Sequence, residues 1–230
     1  MGGLIDQADG GRSKPPEEVV HQARQAWQES MLRPIDELAR SLRRRDPAEI
    51  ARRAGCEFDG RALQLAYWQE PVRLSWPDLE ATRAGDAKPC STFDQAMLLY
   101  YLDCADGAPL ADRWIGFREL PNGAFYAQAY QGYSGHRVAQ AFGSQPEAFE
   151  RAAQASGGMP VSNLGTSAFA VHPLPRVRLA AVLWPGDDEF SARAAILFDA
   201  ASSHYMTTDG LALLGGGLAG RLVRAAPAAS

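Results

Sequence analysis

Asp187, Asp188, Glu189, Asp199 and His204 crowd into one short stretch of the chain. Hard cations need several oxygen ligands, and zinc or iron sites combine histidine with carboxylates. Asp187 and Glu189 are two residues apart and point the same way on an extended chain. His204 is of a type that titrates near neutrality, and Asp199 and Tyr205 are its neighbours. The chemistry on offer is metal binding, or metal-assisted hydrolysis or lyase chemistry with proton transfer. The competing account is structural. Gly186-Asp187-Asp188 is turn chemistry, and Asp199 can close a strand by bonding backbone.

A second group surrounds Arg118 and Glu119, with Trp114, Phe117 and Tyr126 nearby. The arginine fork suits a carboxylate, a phosphate or a tetrapyrrole propionate, and ligand sites are commonly aromatic with few polar groups. The alternative is an Arg118–Glu119 ion pair that fixes a loop. Trp184 opens the acidic stretch and joins the ligand candidates. His136 offers a haem axial ligand, against the plainer reading of an exposed histidine, and His172 precedes Pro173 at a strand end.

These residues need elements to position them. The spacing of Val20, Ala23, Trp27 and Met31 predicts a helix, after a disordered tail over residues 1–14. Pro34 opens a second helix, and Asp46-Pro47-Ala48-Glu49 caps a third that Gly55 closes. N-terminal helices thus fill 16–54. Period-two alternation over 56–76 predicts β structure, with Glu70-Pro71 between its two segments. Asp78 to Pro89 reads as a polar loop. Thr92-Phe93-Asp94-Gln95 and Ser144-Gln145-Pro146-Glu147 read as capping boxes, the first before a helix apolar nearly all round. Residues 166–200 alternate again, and Pro185–Ser191 suits an antiparallel hairpin. Thr207 or Thr208 starts a last helix over 208–224. The sum is one α+β domain over 15–226, a mainly antiparallel sheet packed against several helices.

That hairpin splits the first constellation. A seven-residue strand spans about 23 Å, so the Asp187–Glu189 loop and Asp199 sit at opposite ends of it.

Composition narrows the functional classes. A net charge of −4 disfavours a nucleic-acid binder, and Arg43-Arg44-Arg45 reads as a solvated helix end. Three cysteines without metal-ligand spacing supply neither a disulfide framework nor a complete iron–sulfur cluster. No secretory signal or membrane-length apolar run is evident, so the expected location is cytoplasmic. Gly215-x-Gly217-x-x-Gly220 matches the dinucleotide fingerprint by letter but lies inside a helix with no strand before it. Tyr133-Ser134-Gly135 is no nucleophile elbow, because its second glycine comes one residue early.

Four motifs, Trp114–Gly123, Leu174–Val177, Trp184–Phe190 and Ile196–Ala200, resemble in order and spacing a bacterial and archaeal family catalogued as domain of unknown function 3786. The resemblance covers about residues 45 to 222. It implies an α+β cytoplasmic protein. Some members carry a cysteine-rich iron–sulfur segment, absent here, and some accompany corrinoid-dependent one-carbon metabolism. The resemblance implies no reaction.

The expectation is therefore a binding or accessory protein for a small ligand or metallocofactor, tetrapyrrole or corrinoid first. Its partners would be that ligand and a protein of the same pathway, with neither nucleic acid nor membrane. The ligand-binding candidates are Trp114, Arg118, Glu119, Tyr126, Trp184, Asp199 and His204. A divalent metal would fall to His204 and Asp199, then to Asp187 and Glu189. A metal-assisted enzyme and a structural partner protein are the alternatives, and no residue is assigned a catalytic role.

Overall fold

The computed structural model describes residues 35–226. The tail over 1–14, the helix through Val20 to Met31 and the start at Pro34 lie outside the described residues. The fold is α+β, built on two antiparallel sheets. Helices α1 (Ile35–Leu42) and α2 (Pro47–Ala54) come first. Asp46 caps α2 by accepting from the Ala48 amide, and Gly55 ends it at φ 64°. The left-handed conformation there suits glycine. The arginines that follow α1 are put to local use: Arg43 bonds the carbonyls of Pro77 and Asp78, and Arg45 pairs with Asp103.

The first sheet is the meander β1 (Glu57–Phe58), β2 (Ala62–Tyr67), β3 (Glu70–Ser75) and β4 (Ala81–Arg83). Two expectations change here. The turn falls at Trp68–Gln69, leaving Glu70 and Pro71 inside β3, and the supposed loop 78–89 contains β4. Trp68 and Gln69 both have positive φ, 51° and 68°. Such a two-residue turn matches strand twist but is costly without glycine or asparagine. Tertiary ties hold it: the Trp68 amide donates to Pro173 O, Gln69 Nε2 to Ser156 O, and Arg221 stacks 4.4 Å over the Trp68 ring.

Helix α3 (Thr92–Cys104) is the central strut. Its cap is Ser91, which accepts from the Asp94 amide, so the helix starts one residue earlier than a Thr92 cap would give. Buried Tyr101 receives the Arg176 amide at 3.0 Å and donates to Ala54 O, tying α2, α3 and the second sheet together.

The second sheet runs β5 (Trp114–Ile115), β9 (Arg193–Asp199), β8 (Val177–Trp184), β7 (Ser167–Leu174), β6 (Met159–Pro160). Its inner face, with Phe169, Val171, Leu179, Ile196 and Phe198, meets α4 (Ala127–Tyr133), α5 (Gly135–Phe142), α6 (Pro146–Ala155) and α7 (Thr208–Arg224). Helix α6 begins at Pro146 without a side-chain cap. Proline there needs no partner for its missing N–H. Thr207 caps α7 through the Gly210 amide. The glycines of α7 are packing sites. Tyr130 Oη presses onto Gly215, and Cβ atoms on Gly216 and Gly217 would stand 3.1 and 3.3 Å from Tyr133 and Trp68. No helix among the described residues is long and apolar enough to cross a membrane.

Candidate functional site

The β8–β9 hairpin separates two polar regions. At the β9 C-terminal end stands Asp199, fully buried. Its Oδ1 accepts from the amides of Ala111 and Ala201, its Oδ2 from that of Asp112, each at 2.9 Å. Arg178 Nη2 lies 3.5 Å away. The same guanidinium bonds Asp112 at 2.8 Å and stacks 5.0 Å from the centre of the Trp114 ring, and Trp114 pairs directly with Asp199 across β5 and β9. A buried carboxylate is stable only when so satisfied. Its lone pairs are taken by backbone.

His204 is half exposed and holds Asp106 at 2.6 Å. That bond is the main reason the Asp106 carboxyl titrates below its ordinary value. Tyr205 donates to Ala108 O. Asp106, Ala108, Ala111 and Asp112 belong to one loop, so Asp199, His204 and Tyr205 together clasp that loop to the end of β9. His172 faces Arg178 on the outer side of the sheet, and partial burial, then the Arg178 charge, lower its pKa.

The other acids are elsewhere. Asp187 Oδ1 receives the amides of Glu189 and Phe190 at 2.9 and 2.7 Å, forming a side-chain-stabilised turn. Asp188 and Glu189 are exposed on it. Among the described residues, no three histidine, cysteine or acidic side chains gather as a metal-binding group. The structure thus brings Trp114 and Asp199 together, sets His204 just beyond, and leaves Asp187 and Glu189 at the far end of the strand.

Around Arg118 the residues serve the local turn. Glu119 Oε2 accepts the Gly116 amide at 2.7 Å instead of pairing with Arg118. Phe117 is buried and stacks on Tyr130 at 4.2 Å. Arg118 is exposed, and Tyr126 is 63% exposed.

Concavity appears at the opening end of the hairpin. Strand β5 covers only Phe198 and Asp199, so β9 from Arg193 to Leu197 has no strand neighbour on that side. Side chains take the place of a strand: Gln131 Nε2 donates to Ala194 O at 2.9 Å and Tyr130 Oη to Ile196 O at 3.4 Å. The elbow between α4 and α5 lets them approach. Gly135 lies so close to Ala194 O that a Cβ would strike the carbonyl. Beside this covered edge opens a groove of about 390 Å³ lined by Gln131, His136, Ala139, Trp184, Ala192, Arg193 and Ala194. Trp184 and Arg193 face each other as a cross-strand pair. The Gly186 amide ties the adjoining turn to Gly143 O.

Of the residues singled out from sequence, Trp184 and His136 line this groove. Arg193 and Gln131 were not foreseen. Arg193 had one readable signal: pairing the hairpin from its turn outward sets it opposite Trp184. Gln131 had none, because its role depends on β9 outrunning β5.

Fold and site together define an α+β protein of two antiparallel sheets, with an open groove at the uncovered edge of the second. The chain belongs to the family described as Domain of unknown function (DUF3786), whose model matches residues 46–221. Comparison with curated proteins finds no match, and neither does comparison with solved structures.

Proposed function

We propose that this chain is a binding or accessory protein for a small ligand or metallocofactor, held in the groove beside Trp184. One observation carries the reading: an aromatic wall, an imidazole and a guanidinium converge on a concavity of ligand size. By contrast, the carboxylates that would serve a metal-assisted enzyme are spread along the hairpin, and Asp199 is consumed by backbone amides. Tetrapyrrole or corrinoid remains the first ligand to test. Its flat ring suits Trp184, its carboxylates or amides suit Arg193 and Gln131, and His136 is an available axial donor. A cytoplasmic setting fits this role.

The test is a visible-spectrum titration of purified protein with hemin and with aquocobalamin. A saturable band shift that Trp184→Leu and His136→Gln weaken supports the proposal. Spectra identical to those of the free cofactors would remove tetrapyrroles and corrinoids from it.

A further inference from the structure

The groove differs from the chain around it in charge. The protein carries a net −4, with 27 acids against 23 lysines and arginines. Yet the residues lining the groove include Arg193 and His136 and no aspartate or glutamate. The small cleft near the β2–β3 turn shows the contrast, since Glu70 and Asp94 stand there with Arg83 and Arg221. Six arginines elsewhere, Arg45, Arg52, Arg53, Arg73, Arg83 and Arg178, hold carboxylates within 4 Å. Arg193 is exposed at the groove and holds none among the described residues.

The remaining lining is Trp184 with three alanines, Ala139, Ala192 and Ala194. Trp184 packs with the outer cluster of Ala168, Ala180 and Val182 while Ala194 belongs to the main core, so the groove opens across the sheet edge with small apolar side chains beside an indole. Gln131 already spends one amide hydrogen on Ala194 O, which fixes its orientation at the groove. The turn acids do not intrude, because Asp187 is folded back on the amides of Glu189 and Phe190.

We infer that the groove selects ligands joining a flat apolar body to a terminal carboxylate, with Arg193 as the residue that reads the charge. This rests on the groove being the ligand site. The body lies against Trp184 and the carboxylate meets the Arg193 fork, which binds such groups bidentately. His136 adds a second donor when protonated. The shared chemistry covers free aromatic acids and the propionate edge of a tetrapyrrole alike.

The experiment compares pyrenebutyrate with pyrenebutanol, which differ only in the carboxylate, by fluorescence titration of the full chain. Pyrenebutyrate is expected to bind about tenfold more tightly, the lower end for a hydrogen bond to a charged group. Arg193→Gln should erase that preference while leaving pyrenebutanol unchanged. Arg193 is exposed, so this variant keeps the fold, and a thermal melt verifies it. Raising salt should narrow the preference. Equal binding of both probes, weakened in both by Trp184→Leu, overturns the charge selection and leaves the groove as a ligand site. Binding of neither probe responding to Trp184→Leu overturns the inference and the ligand-site reading together. Adding hemin as competitor separates the two sources: displacement of pyrenebutyrate assigns the carboxylate slot to tetrapyrrole propionates, and no displacement assigns it to smaller aromatic acids.

Discussion

The two ends of strand β9 carry similar residue types and opposite degrees of commitment. At Asp199 most polar groups are answered: three amides and Arg178 hold the carboxylate, Asp106 holds His204, and Ala108 O takes the Tyr205 hydroxyl, which leaves Arg178 Nε and Ser202 Oγ as buried atoms without a partner. At Arg193 the guanidinium and the His136 imidazole face open space. The first end fastens a loop, and the second leaves donors for something else. The dense polar cluster at Asp199 therefore serves structure, whereas the unspent hydrogen-bonding capacity beside the concavity is what the proposed binding role rests on.

The contrast breaks most sharply at Asp199. Asp199→Ala removes one partner of a buried pair and strands three backbone amides, which should cost about 3–5 kcal/mol. Urea unfolding measures it. Where the variant remains folded, pyrenebutyrate affinity should stay near that of the parent protein, and a parallel loss would tie the two ends together. Gly135→Val is next. Its Cβ would strike Ala194 O, so overpacking should cost about 1–3 kcal/mol, and here ligand affinity should fall with stability. Five residue steps of strand separate Ala194 from Asp199, about 16 Å along the chain, so the two losses should add. His204→Ala should cost no more than about 1 kcal/mol, since its pair with Asp106 is half exposed.

The smallest effects are those of pH. Both Asp106 and His172 have folded-state pKa values below their ordinary ones. A depressed pKa contributes stability that is present above the unfolded value and lost as pH falls through the folded one. For His172 that loss starts as pH drops below about 6.5, and for Asp106 below about 3.9. His172→Gln should flatten the first limb of a stability–pH curve and His204→Ala the second. Retention of both limbs in the variants would assign them to other groups.

Much of the fold was legible. Alternation marked the strands of 56–76 and 166–200, and Asp46 and Thr207 announced their helices. The misplacements have physical causes. The β2–β3 turn uses Trp68 and Gln69, whose positive φ is sustained by contacts with Pro173, Ser156 and Arg221, all remote in sequence. The three residues of β4 are too few to show a period. The site was less legible. Asp199 looked like a ligand because the amides that occupy it come from residues 111 and 112, far along the chain. Trp184 and Arg193 flank one turn and could be paired by counting. The groove beside them exists only because β5 stops after two residues.

The three consecutive glycines of α7 bear on how the protein is made. Each seats an aromatic ring from an earlier segment: Tyr130 on Gly215, Tyr133 on Gly216 and Trp68 on Gly217. On a translating ribosome those rings emerge more than seventy residues before the helix that receives them. Both sheets can draft their pairings during synthesis, but these rings reach their seats only when α7 clears the exit tunnel. Until then Trp68 and its hairpin tip present an unseated aromatic to the cell, which is when a nascent chain most needs a chaperone.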